Sequence, residues 1–336
     1  MKAPGFWWDR APGLAARMLL PFGMLYGALT ARRMARPGAK ASVPVICIGN
    51  FTAGGAGKTP TALSLAEALI RSGESPVFLT RGYGGREKGP LRVDPARHDA
   101  VQVGDEPLLL ARIAPTIVAR DRVAGAAMAA AAGASVIIMD DGLQNPALHK
   151  DFSLGVMDGG AGFGNGLCVP AGPLRAPIEA QAARVDALLV IGMGHGITEA
   201  LAVGKAAGKP VHRGNFAVDD ALADRLGGAR VLAFAGIGRP QKFFETLIGL
   251  YAKIEGAYPF ADHHAYTDGE AEMLLKAAQD RNLTPVTTEK DLVRLTGSPP
   301  RAALAAAAIA VPIRLPLPDP LVSEILQRIG AARSRA

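Results

Sequence analysis

An apolar run from Val43 to Ile48 leads into Gly49-Asn50-Phe51-Thr52-Ala53-Gly54-Gly55-Ala56-Gly57-Lys58-Thr59-Pro60, and a helix-prone stretch, Thr61 to Ile70, follows at once. No other part of the chain restricts its fold as tightly. A buried strand, a glycine turn and a helix start in that order build a cradle for an anion. Glycines let backbone N–H groups converge, the helix N-terminus adds partial positive charge, and Lys58 adds a full one. Thr59 carries the hydroxyl that such loops turn toward Mg2+. Thr52, Ala53, Gly54, Gly55, Ala56, Gly57, Lys58 and Thr59 are therefore the candidate contacts to nucleotide phosphate. Thr52 departs from the general pattern G-x-x-x-x-G-K-[ST], which has glycine at that place.

A second apolar run, Ala134 to Met139, ends in Asp140-Asp141-Gly142. A central parallel strand that delivers a carboxylate to the sheet edge supplies the Mg2+-associated acid of a phosphate-loop protein. Asp140 and Asp141 both qualify. Between the two runs, Pro76 to Thr80 reads as a strand ending in Arg81-Gly82-Tyr83-Gly84-Gly85-Arg86, a basic glycine loop where α/β proteins place ligands. Gly104-Asp105-Glu106-Pro107 opens a helix with carboxylates at its positive end, for which capping alone is sufficient reason. Thr116 to Ala119 and Phe152 to Asp158 read as strands, and Arg122 to Ala132 as an alanine-rich helix. Gln144 follows the paired aspartates. The Gly/Pro-dense segment from Gly164 to Arg175 is a shaped loop, long for a plain connection.

From about Val185 the pattern restarts. Ala187 to Ile191, Val211 to Phe216, Val231 to Ala235 and Ile309 to Leu315 read as strands, and Pro240 to Leu250, Asp268 to Gln279 and Pro320 to Ile329 as helices. This is a smaller α/β unit without its own Gly-Lys-Thr. At 336 residues the chain is long enough for two domains with separate cores. The expected division is 1–40 for an N-terminal helix, 41–183 for the phosphate-loop domain and 184–336 for the second domain. Tyr258-Pro259-Phe260-Ala261-Asp262-His263-His264 is an aromatic turn with an acid–imidazole pair.

The N-terminal stretch carries Phe6-Trp7-Trp8, then Leu14, Met18, Leu19, Phe22, Leu25, Tyr26 and Leu29 at helical spacing, with Arg32, Arg33, Arg36 and Lys40 behind them. Arg17 and Pro21 interrupt it, so it is a poor membrane span, and its charges lie on the wrong side for a secretory signal. Tryptophans, an apolar face and a cationic flank favour a helix lying in an anionic membrane surface, against the alternative of a helix packed on its own domain. A net charge of +7 calls for an anionic partner. Nucleic acid is disfavoured, since no zinc-finger, basic-helix or RNA-binding signature is present and 5% aromatics leave few stacking platforms. Two distant cysteines, Cys47 and Cys168, give neither a disulfide framework nor metal spacing, and suit a reducing compartment.

These blocks in this order resemble the tetraacyldisaccharide 4'-kinase family, which phosphorylates the lipid A precursor on the cytoplasmic face of the bacterial inner membrane. The resemblance spans nearly the whole chain. It adds Val103 to Pro107, Pro170 to Arg175, Ala235-Gly236-Ile237-Gly238-Arg239-Pro240, Asp262-His263 and Thr287 to Asp291 to the motifs above. The family also has threonine at the place of Thr52. The fold implied is a phosphate-loop NTPase-like α/β/α domain with a mostly parallel sheet, a second smaller α/β/α domain and an N-terminal membrane-associated helix. The implied reactants are ATP with Mg2+ and a tetraacylated glucosamine disaccharide 1-phosphate, at an anionic membrane surface and without nucleic acid. By resemblance, Lys58 holds the β- and γ-phosphates, Asp105 is the base for the sugar hydroxyl, and His263 works with it from the second domain. Thr59, Glu106, Asp140 and Asp141 match metal positions, and Arg81, Tyr83, Arg122 and Gln144 match positions in or beside the nucleotide site. Two residues depart from the family pattern. Ala176 stands where an acid is common, and Asn145 replaces a histidine. A switch ATPase of the partitioning type is the competing class, but Ala53 occupies the place of its signature lysine.

Overall fold

Successive residues of the central strands face two different apolar layers. In β1 (Val45–Asn50), Val45 and Cys47 join Val77, Leu79, Ile137 and Met139 on one side. Ile46 and Ile48 join Phe78, Ile138 and Leu154 on the other. A strand buried on both faces needs cover on both, which the crossover helices of a parallel sheet provide. The computed structural model describes residues 3–238, 240–312 and 314–334. Its larger sheet contains β1, β2 (Pro76–Thr80), β3 (Leu91–Arg92), β4 (Thr116–Val118), β5 (Val136–Asp140), β6 (Phe152–Asp158), β7 (Ala187–Ile191) and β8 (Val211–Gly214). The order is β3-β4-β2-β5-β1-β6-β7-β8, and β3 alone runs antiparallel.

This order moves the expected boundary at 183/184. Strands β7 and β8 extend the large sheet beyond β6, because their apolar residues, Leu188 and Val190 on one face and Leu189 and Ile191 on the other, continue both of its layers. A smaller all-parallel sheet then follows, β10-β9-β11-β12, from β9 (Arg230–Ala235), β10 (Lys253–Pro259), β11 (Thr284–Thr288) and β12 (Ile309–Val311). The final helix, Asp319–Arg333, returns to the large unit. Its Leu321, Ile325 and Ile329 are buried against Ile46, Ile48 and the apolar side of helix α2 (Lys58–Arg71). The large unit is thus discontinuous in sequence, and the two segments crossing between units pair at Ala217 and Arg314.

Helix α1 (Leu14–Met34) lies against the segment that follows β6. Gly23 and Gly27 permit that approach: a Cβ at either would sit 2.7 Å from Cys168 O or 2.8 Å from Cys168 Sγ. The Trp7 indole N–H donates to Pro170 O at 2.9 Å. Opposite the docked side, Leu14, Met18, Phe22, Met24, Leu25 and Leu29 are exposed.

Candidate active site

Parallel strands deliver loops at their carboxyl ends, and here the carboxyl ends of both sheets converge. The loop after β1 passes through Gly57, whose φ of 91° starts α2 without any side-chain cap. The first amides of α2 are therefore free to meet an anion, which is the geometry the glycine spacing predicts. Register places Asp140 of β5 beside Ile48 of β1, and the Asp141 N–H donates to Ile48 O at 2.9 Å. The paired aspartates thus emerge next to the phosphate loop. Asp141 has φ 55°, uncommon outside glycine, and it ion-pairs with Lys58 at 3.8 Å and Arg175 at 2.6 Å.

The loop is braced from behind. The Ala53 N–H donates to Pro173 O at 2.7 Å, and Arg175 Nε donates to Thr52 O at 3.2 Å. Asn50 Nδ2 donates to Thr52 O at 2.7 Å and Gly54 O at 3.2 Å. Thr52 and Ala56 are buried, Ala53 is half-buried, and Gly54 and Gly55 face solvent. Gln144 lies under the loop, where Nε2 donates to Asn50 O at 2.9 Å and to Gln181 Oε1 at 2.8 Å.

Burial pushes the Asp140 carboxyl up to about 7, with the Lys58 charge opposing the shift. Its Oδ1 is buried without a hydrogen-bond partner. An orphaned carboxylate oxygen of that kind fits a hard cation, with the buried Thr59 as an oxygen donor in the phosphate loop. For Asp141, desolvation is outweighed by the charges of Lys58 and Arg175, which hold it below the ordinary carboxylate range. Burial draws Lys58 below the ordinary ammonium range, against the pull of Asp141.

Asp105 and Glu106 open the helix Asp105–Leu110 after Gly104, whose φ is 92°. Asp105 is buried. Its Oδ1 lies 3.1 Å from His263 Nδ1, and its Oδ2 accepts from Arg294 Nη2. Burial alone would raise Asp105, but the His263 hydrogen bond and the Arg294 and Lys290 charges hold it well below the usual carboxylate range. His263, at φ 57°, is raised chiefly by its hydrogen bond to Asp105. Glu106 Oε1 accepts from Lys290 Nζ at 2.8 Å. Asp105, Glu106 and His263 place ligand atoms within 4.8 Å of one another, but Lys290 and Arg294 already bring positive charge to both carboxylates.

Tyr83 is exposed, with its ring 5.7 Å from that of His263. Arg81 is exposed at the end of β2. Arg122 is buried, donates from Nη1 to Ala119 O at 2.9 Å and leaves Nε without a partner. Arg239, within the Gly238–Pro240 motif, lies outside the described residues. Sequence reasoning assigned no role to Arg175, Gln181, Lys290 or Arg294. Arg175 and Lys290 lie in motifs quoted above, which was the available signal, whereas Gln181 and Arg294 carry none.

The sequence profile of the family described as tetraacyldisaccharide-1-P 4'-kinase matches residues 15–330. The chain belongs to the tetraacyldisaccharide 4'-kinase family. Among curated members, one from Methylobacterium sp. (strain 4-46) is 58% identical over 338 residues, covering 100% of this chain and 99% of the relative. Another, from Rhodopseudomonas palustris (strain BisB18), is 50% identical over 337 residues, covering 100% and 98%. Both are named tetraacyldisaccharide 4'-kinase. A crystal structure of LpxK from Aquifex aeolicus in complex with ATP superposes with a TM-score of 0.73 at 26% identity, over 94% of this chain and 100% of that one. This family member is accordingly a kinase.

Proposed function

We propose that the chain transfers the γ-phosphoryl group of ATP to the 4'-hydroxyl of tetraacyldisaccharide 1-phosphate, giving ADP and the 1,4'-bisphosphate, lipid IVA. One observation carries the reading. A buried carboxylate, Asp105, hydrogen-bonded to an imidazole of the opposite unit, opens the helix Asp105–Leu110, which packs against the helix α2 that the phosphate loop starts. A base and a polyphosphate cradle therefore share one cleft. The loop amides and Lys58 bind and orient the β- and γ-phosphates. Asp105, supported by His263, takes the hydroxyl proton as the sugar oxygen bonds to the γ-phosphorus and the bond to the β-phosphate oxygen breaks. When bound, Mg2+ supplies charge neutralisation to the polyphosphate, and Thr59, Asp140, Asp141 and Glu106 are the residues that would hold it. Arg81, Tyr83, Arg122 and Gln144 border the nucleotide.

The substrate's acyl chains stay in the bilayer, so the protein must reach the surface. The exposed apolar side of α1, with Arg17, Arg32, Arg33 and Arg36 along the helix and its end, supports seating at the cytoplasmic face of the inner membrane. An 18-residue window of that helix has a mean hydropathy of 1.3, enough by length and composition for a span despite Arg17 and Pro21, and 17% of the window is buried, which sets it apart from a core helix.

The test is phosphate transfer from labelled ATP with Mg2+ to the disaccharide lipid. Wild type should label the sugar and consume ATP only with lipid present. Asp105→Ala should bind nucleotide normally and lose about 10²–10⁴-fold in transfer. Lipid-independent release of inorganic phosphate would favour a switch ATPase instead.

A further inference from the structure

A carboxylate that serves as a base must present one oxygen and keep the other still, and Asp105 cannot arrange this from its own unit. Its Oδ2 is taken by Arg294, which follows the short helix Glu289–Leu292 at the end of β11 in the small unit. Arg294 is itself buried, and both terminal nitrogens of its fork are engaged. Nη1 donates to Gly236 O at 2.6 Å and to Asp291 Oδ1 at 3.0 Å, while Nη2 reaches Asp105. Asp291 has no exposed surface and is pinned in turn. Its Oδ1 also accepts from the Gly236 N–H at 2.9 Å and the Tyr266 hydroxyl at 2.9 Å, and its Oδ2 from the Thr288 hydroxyl at 2.6 Å.

We propose that Arg294 is a positioning residue for the transfer reaction: anchored by Asp291, it fixes the plane of the Asp105 carboxylate so that Oδ1 is the oxygen offered to His263 and the sugar hydroxyl. This rests on the kinase reading above. The geometry calls for arginine's planar fork, because Nη1 faces Asp291 and Gly236 while Nη2 faces Asp105. A lysine keeps the charge but has a single nitrogen for these directions. Both side-chain partners of the Asp105 carboxylate, His263 and Arg294, thus come from the small unit, and Arg294 acts on the reaction only through Asp105.

The experiment compares wild type, Arg294→Met, Arg294→Lys, Asp105→Asn and the double variant Asp105→Asn/Arg294→Met in full-length protein, with Mg-ATP and the disaccharide lipid. Misplacing a reacting group costs up to about 10²-fold, so Arg294→Met should lower kcat by that order with KM for ATP within about threefold. Arg294→Lys should recover about tenfold of the loss. In the Asp105→Asn background, removing Arg294 should cost no more than about twofold further, since a residue acting only through Asp105 has nothing left to position. Undiminished kcat in Arg294→Met overturns the inference. So does a loss in the double variant equal to the product of the two single losses, or an Arg294→Lys no better than Arg294→Met. If Arg294→Met does not fold, the lysine variant decides, because a wild-type kcat there shows that the fork geometry is immaterial. Absence of lipid-dependent transfer in wild type would instead overturn the kinase reading, and this inference with it.

Discussion

Across the cleft, the two units contribute opposite chemistry. The large unit supplies the carboxylates Asp105, Glu106 and Asp158, and the small unit supplies what meets them: His263 and Arg294 on Asp105, Lys290 on Glu106 and Lys242 on Asp158. The phosphate cradle, with Lys58, belongs to the large unit alone. Each half is therefore incomplete in a different way. The large unit has the cradle but no side chain that holds the Asp105 carboxylate, the proposed base, and the small unit has the side chains that hold it but no cradle. On the proposed reading the site exists only where the two units meet, so that their approach would gate transfer.

The sharpest way to break this comparison is to remove the large unit's own cation. Lys58→Ala should cut lipid phosphorylation by about 10²–10³-fold or more, because a preorganised charge at the transferring phosphoryl group is lost. Full transfer in that variant would mean that the small unit's cations hold the phosphates, and the assignment of roles would reverse. A second change acts in the opposite direction. Lys290 is raised despite its burial by the charges of Glu106 and Asp105, and its Nζ donates to Glu106 at 2.8 Å, so if Glu106 is the metal ligand proposed above, Lys290 would compete with the ion for it. Lys290→Met should tighten Mg2+ binding to nucleotide-free protein severalfold, measured by calorimetry. Weaker binding would show that Lys290 organises Glu106 for the metal rather than competing with it.

The large unit was far more legible than the small one, and the reason is physical. The β1 turn demands glycine at positive φ, and an apolar strand ending in paired aspartates needs no tertiary context to be recognised. Strands β2, β6 and β7 have the limits that their apolar runs suggest. Position within a sheet was not legible, because a buried strand reads the same in either sheet. Hence β7 and β8 were expected in the small unit, although their side chains continue the large core. Strand β10 is half-exposed and has no apolar run to announce it, so Tyr258 and Pro259, which read as part of a turn, form its end instead. Arg294 was invisible for a related reason: no short-range pattern marks an arginine whose partner is 189 residues away.

The His263–Asp105 contact provides a pH test of the interface. Its folded pKa is raised above the ordinary 6.5, so the contact's stabilisation is fully present below 6.5 and is lost as pH rises through the raised value. Asp105, held low, contributes stability that disappears only in strong acid, through the opposite sign. Between about pH 6 and pH 9 the histidine side of this contact should therefore change and the Asp105 side should not, while Asp140, which also titrates there at about 7, is common to wild type and variant. Wild type should lose melting temperature over that window relative to His263→Gln. Parallel profiles would mean that the imidazole adds nothing to closure.

The smallest effect is expected at the rim. Lys242 lies in the helix Pro240–Gly249 and reaches Asp158 at 2.7 Å, but its side chain is 48% exposed. Asp158 also accepts from the N–H groups of Gly160 and Ala161 at 2.8 and 3.1 Å, so the carboxylate is held from its own unit as well. An exposed pair of this kind contributes under about 1 kcal/mol and is screened by salt. Lys242→Ala should keep transfer within about twofold of wild type, with the difference vanishing at high ionic strength. The same comparison at Arg294, buried and without solvent to replace its partners, should persist in salt. If both variants lose activity equally and both losses fade with salt, charge attraction alone holds the units together, and the buried network has no separate part in orienting the base.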